Sequence, residues 1–185
     1  MCFGAPFGVT LESVTDVQVL DDGRVSADVT VVLGSFLSRE RMFFVQSGEF
    51  WLLDESPDLP VDVPEGATVV TGELADYEFV LDTTSAPAGD IAFEVTNTGQ
   101  YPHEIVVLQL PEGITVEDVF ADESLIEQVQ FFGGTFAMPG ETAPPMVMVD
   151  MAPGTYTLVC FIDEPEGVPH VARGMIGEFE VTPAE

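Results

Sequence analysis

Residues 153–181 read PGTYTLVCFIDEPEGVPHVARGMIGEFEV, and the reading of this stretch decides the fold. Two short runs rich in β-branched and aromatic residues, GTYTLVC and MIGEFEV, flank a loop that carries a Pro-His step, and both runs suit strands. Outward from them, GATVVTGELADYEFVLDTTS, IAFEVTNTG, HEIVVLQL and PPMVMVDM continue the β pattern with Gly, Pro and Asn turns between. Seven or eight short strands in roughly 120 residues predict an all-β Greek-key sandwich. One short helix interrupts it. Thr115 with Glu117 and Asp118 forms a start signal, and Val116, Val119, Phe120, Leu125 and Val129 follow a one-faced spacing up to Gly133-Gly134.

Residues 9–55 read as an antiparallel β-meander of four strands, broken at Asp21-Asp22-Gly23 and at Ser47-Gly48. Pro57, Pro60 and Pro64 each remove a backbone donor and make a linker of the tract that follows. The expected organisation is a meander over 1–56, a linker over 57–65 and a sandwich over 66–185.

Of the 185 residues 46% are hydrophobic and 14 are Phe, which excludes an intrinsically disordered chain. Against 33 Asp and Glu stand four Arg (Arg24, Arg39, Arg41 and Arg173) and no Lys, for a net charge of −29. Nothing can neutralise phosphates or an anionic membrane surface, so nucleic acid is excluded as a partner. Solvation explains the acidity most simply, and steering of a basic partner is the other reading. Residues 1–64 hold eleven acids and three Arg while 65–185 hold 22 acids and one Arg, so the acidity concentrates on the second part.

No run approaches the ~18–20 apolar residues of a membrane span. The N-terminus MCFGAPFGVT lacks the pattern of a signal peptide, and its abrupt opening suggests a fragment. Cys2 and Cys160 make no disulfide framework.

The chain has two histidines, and each follows a proline: His103 after Pro102 and His170 after Pro169. Nine residues separate Cys160 from His170, and four separate His170 from Met175. A thiolate, two imidazoles and a thioether are soft and borderline donors suited to copper, and two His, one Cys and a weak axial Met define a blue-copper electron-transfer site. Cys160 ends one strand and Met175 begins the next, while His103 opens a distant strand whose end can meet the same pole of a sandwich. Met146, Met148 and Met151 are read as core or surface residues of a strand. The alternatives to copper are a metal-free structural module and a different metal such as zinc. No Ser-His-Asp arrangement, phosphate-binding glycine loop or CxxC motif appears.

On the segments NTGQYPHEIVV, PGTYTLVC and PHVARGM, residues 66–185 resemble a cupredoxin of the plastocyanin/azurin family. The resemblance implies copper ligation by His103, Cys160, His170 and Met175, and one-electron transport to a redox partner protein, with His170 as the edge where electrons leave. It implies a non-enzymatic role and a location outside the cytoplasm, periplasmic or secreted. A copper-holding or scaffold module is the alternative. The loop FIDEPEGVP is a departure, being longer than the loops of familiar electron carriers. The segments VTDVQVLDDGRVSADV and SGEFWLLDE are similar to the C-terminal sheet of a SnoaL-like (nuclear-transport-factor-like) fold, without the helices that normally precede it. An uncovered sheet face of that kind favours homodimerisation, and Trp51 is read as a packing residue.

Overall fold

The computed structural model describes residues 8–184, so Cys2 lies outside the described residues. Over these residues the chain is an all-β sandwich with one α-helix. Its strands are β1 (Val9–Val19), β2 (Val25–Leu33), β3 (Phe36–Ser47), β4 (Phe50–Glu55), β5 (Thr68–Ala75), β6 (Glu78–Leu81), β7 (Ser85–Pro87), β8 (Gly89–Asn97), β9 (His103–Gln109), β10 (Gln130–Ala137), β11 (Met146–Met151), β12 (Gly154–Val159) and β13 (Ile176–Thr182). The larger sheet runs in the order β1-β2-β3-β11-β8-β5-β6 with β4 paired to β3, and the smaller in the order β10-β9-β12-β13-β7. Parallel pairing of β5 with β8 and of β7 with β13 marks the crossings between sheets.

The core lies between the sheets because alternate residues of facing strands point inward. Val70, Leu74, Ile91, Phe93, Met146 and Met148 of the larger sheet bury against Ile105, Val107, Leu158, Phe179 and Val181 of the smaller. Phe93 meets Phe179 edge-on across this layer with ring centroids 5.1 Å apart. Each large side chain fully buried here contributes about 1.5–3 kcal/mol through removal of apolar surface from water. The three methionines of the MVMVDM run are core residues, each almost wholly buried.

The four meander strands occupy the positions read from the sequence, and they continue the larger sheet. Phe36 of β3 pairs with Met148 of β11, and the Val149 N–H donates to the Ser35 carbonyl at 2.8 Å. Phe36 also packs on the core and lies so close to Gly133 that a Cβ there would come within 2.8 Å of its ring. The start of the proline-rich tract follows β3, with the Arg41 N–H on the Pro57 carbonyl and the Leu59 N–H on the Arg39 carbonyl. Inside the meander the buried Asp28 carboxylate accepts from Arg41 at 2.6 and 3.0 Å and from Arg39 at 3.0 Å, which keeps a buried charge paired. Trp51, expected to pack, is half exposed, because β4 is an outermost strand whose apolar residues Phe50, Trp51, Leu52 and Leu53 all face solvent.

The helix is shorter than its spacing predicts. α1 (Val116–Ala121) starts at a capping box, in which Thr115 accepts from the Asp118 N–H and Asp118 accepts from the Thr115 N–H. Asp122 then turns extended and caps a separate 3-10 turn over Glu123–Gln128. An aspartate able to bond the backbone ahead of it competes with helix continuation, and here that competition ends the α-helix. Gly133 and Gly134, expected to stop a helix, sit inside β10.

Candidate metal centre

His103 opens β9, Cys160 directly follows β12, His170 starts a 3-10 turn (His170–Arg173), and Met175 directly precedes β13. All four side chains are fully buried. The long loop between Cys160 and His170 does not carry the second histidine away. It folds back on itself as a small hairpin, with the Glu164 N–H on the Val168 carbonyl, the Gly167 N–H on the Glu164 carbonyl, and the His170 N–H on the Ile162 carbonyl at 2.9 Å. Gly167 takes a left-handed φ of 80° at the tip, which glycine adopts without steric cost. The Val171 N–H then bonds the Cys160 carbonyl, the Met175 N–H the His170 carbonyl and the Cys160 N–H the Met175 carbonyl, so backbone bonds tie these three residues together.

The result is a convergence of donors. The Cys160 Sγ lies 3.4 Å from His170 Nδ1 and 4.0 Å from His103 Nδ1, and the two Nδ1 atoms are 3.1 Å apart. One ion with bonds of about 2.0 Å to nitrogen and 2.3 Å to sulfur separates its donors by about 3.3–3.7 Å, so the group fits a single metal ion with little adjustment. Among the described residues this is the one cluster of three His, Cys, Asp or Glu side chains with ligand atoms so close together. Met175 belongs to the same buried cluster as Cys160.

Burial shifts two of the donors, Cys160 and His170. It pushes the Cys160 thiol above its ordinary range, with the Glu104 charge adding to the effect and backbone N–H groups opposing it. The Glu104 N–H points at the sulfur at 3.5 Å. Burial also lowers His170, helped by the neighbouring His103, so that its imidazole is neutral and available as a ligand.

Several residues around the donors escaped the reading of the sequence. Asp76, on the turn between β5 and β6, places Oδ1 3.1 Å from His103 Nε2. Asn97, fully buried, donates to the Tyr101 and Ala137 carbonyls and accepts from the Gly99 N–H, which fixes the loop leading into His103. Tyr77 lies edge-on to the His170 ring at 5.4 Å and Tyr101 lies 6.0 Å from it. The Tyr77 hydroxyl donates to Glu164, whose other oxygen accepts from Arg173 at 2.8 Å. That short bond to a carboxylate pushes the Tyr77 phenol up to about 12. No spacing rule singles out Asp76 among 33 acids, because its contact exists only in the folded chain.

His170 does not serve as a surface edge. The resemblance places electron exit there, but the ring is fully buried, and its Nε2 has no hydrogen-bond partner among the described residues. The hairpin of the long loop, clamped through Glu164, and the two tyrosines cover it.

Comparison with solved structures returns blue copper proteins and multicopper oxidases. Auracyanin from the photosynthetic bacterium Roseiflexus castenholzii is 26% identical over 64% of this chain and 100% of its own, with a TM-score of 0.45. Auracyanin A, a blue copper protein of the green thermophilic photosynthetic bacterium Chloroflexus aurantiacus, is 19% identical over 61% of this chain and 98% of its own, with a TM-score of 0.40. The McoA multicopper oxidase of the hyperthermophile Aquifex aeolicus is 13% identical over 74% of this chain and 34% of its own, also at a TM-score of 0.40. No protein-family model matches the chain, and no curated protein matches it. Among the described residues no helix is long and apolar enough to cross a membrane.

Proposed function

We propose that the chain is a type 1 (blue) copper protein that carries single electrons between redox partners. The observation that supports this most is the meeting of one sulfur and two Nδ1 atoms, 3.1–4.0 Å apart, with the buried Met175 tied to Cys160 and His170 by backbone bonds. Copper bound there supplies a one-electron couple, which a thiolate, two imidazoles and a weak axial thioether suit in both oxidation states. In this reading Cys160 would hold the copper as a thiolate, His103 and His170 through their Nδ1 atoms, and Met175 through its thioether. Four protein donors leave no position open for a substrate, so the chain is read as a carrier and not an enzyme.

The residues of the chain hold this set rigid. The Glu104 N–H steadies the sulfur, the backbone bonds among Cys160, His170 and Met175 keep those ligands in register, and the covered pole excludes water. With His170 enclosed, the short path from the sulfur to the surface runs through Phe161, the residue after Cys160. Phe161 is partly exposed and meets Phe120 edge-on at 6.0 Å, next to an apolar hollow of about 330 Å³ lined by Val116, Phe120, Pro169 and Val171. With Glu117 on its wall and an acidic surface around it, the hollow suits a redox protein whose apolar contact is ringed by basic side chains. The copper unit is assigned to residues 66–185, joined through 57–65 to the meander over 1–56, and the protein is assigned to a compartment outside the cytoplasm by its resemblance to blue copper proteins.

Spectroelectrochemical titration of the copper-loaded protein tests the function. A carrier cycles reversibly through one electron with its visible band bleaching and returning. Retention of Cu(I) without recovery of the band would instead describe a copper-holding module.

A further inference from the structure

The two-residue turn between β5 and β6, Asp76-Tyr77, touches both imidazoles. The Asp76 carboxylate sits on His103 Nε2, and the Tyr77 ring stands against His170. Tyr77 holds a left-handed φ of 65°, uncommon for a bulky residue, so the surrounding structure imposes this conformation. Several contacts impose it. The Gln100 N–H donates to Asp76 Oδ1 at 2.8 Å, Tyr77 donates to Glu164, and Tyr101 packs 6.4 Å from Tyr77. Gly99 roofs the Asp76–His103 contact so tightly that a Cβ there would lie 2.7 Å from His103 Nε2 and closer still to the Asp76 carboxylate.

We infer that Asp76 and Tyr77 are the positioning residues of the metal centre: Asp76 takes the Nε2–H of His103 and thereby turns a bare Nδ1 toward the ion, while Tyr77 holds the His170 ring in place. A ring nitrogen that donates to a carboxylate leaves the other nitrogen as the lone pair, and the added negative character makes that nitrogen a stronger donor. Asp76 lies outside the donor set, and its role differs from that of a ligand. The consequence for copper rests on the function proposed above, whereas the tautomer does not.

Nitrogen-15 NMR of the metal-free protein reads the tautomer directly. The wild type will show His103 protonated at Nε2 and bare at Nδ1, and Asp76→Ala will mix the two tautomers. A wild-type His103 protonated at Nδ1 overturns the inference without any variant. With Cu(II), Asp76→Ala and Tyr77→Ala will each bind about 10–100-fold more weakly, the usual effect of removing an outer partner of a ligand. Asp76→Asn, which keeps an acceptor but loses the charge, will retain the band and raise the reduction potential. Gly99→Ala, which removes no functional group, will mimic Asp76→Ala by driving the pair apart. If Asp76→Ala leaves both tautomer and affinity unchanged, the inference fails while the copper reading stands. If the tautomer responds but no thiolate band forms in the wild type, the copper reading fails while the positioning stands.

Discussion

His103 and His170 present Nδ1 to Nδ1 at 3.1 Å in a fully buried space, and two ring nitrogens can share such a contact only if one of them donates. With the Nε2–H of His103 taken by Asp76, the donor is His170, whose Nε2 is left as a buried lone pair without a partner. Metal loading will therefore move the His170 proton from Nδ1 to Nε2 while His103 keeps its tautomer. Nitrogen-15 spectra of the protein without metal and with diamagnetic Cu(I) check this: the expected result is a change at His170 alone.

The same protonation pattern fixes the proton count of binding. Burial keeps Cys160 a thiol in the empty site, and His170 only relocates its proton, so one proton leaves per ion bound near neutral pH. Affinity accordingly rises with pH as long as the thiol titrates in the empty protein. Calorimetry in buffers of different ionisation enthalpy reads the count, and a value of zero at pH 7 would mean the sulfur is not a ligand.

Glu164 anchors the long hairpin to Arg173 and Tyr77, and the Arg173 bond, followed by the Tyr77 bond, holds its carboxyl below the ordinary value of 4.5. A carboxyl lowered by folding contributes stability that is fully present above its unfolded pKa and lost as pH falls through the folded value. Melting temperatures of the wild type and Glu164→Gln will therefore differ by a constant amount above about pH 5.5 and draw together as the pH falls below the ordinary value of 4.5. A gap that does not narrow on acidification would contradict the assignment.

Phe93 and Phe179 join the two sheets, and truncation of the first, Phe93→Ala, removes a fully buried ring. The expected loss is about 3–5 kcal/mol in denaturant unfolding, because the cavity collapses only in part.

The sandwich was visible in the sequence because alternation survives wherever strands face a core on one side, as in IGEFEVT, and because turn residues bound each run. All four proposed ligands were named from donor chemistry and order along the chain. What escaped notice is tertiary. β10 was missed because Gly133 and Gly134 interrupt its alternation, one of them to let Phe36 approach. The hairpin that returns His170 to Cys160 is held by backbone bonds within nine residues, which side-chain periodicity does not record. The covering of His170 depends on Tyr77 and Glu164, which lie 87 positions apart.

The central claim is that Cys160, His103 and His170 bind one copper ion together, and the most direct measurement is addition of Cu(II) to the metal-free protein with visible spectra recorded for the wild type and for Cys160→Ser. The account predicts an intense thiolate-to-copper band that saturates at one ion per chain in the wild type and is absent from the variant. A colourless wild type, or a band undiminished in Cys160→Ser, would contradict it.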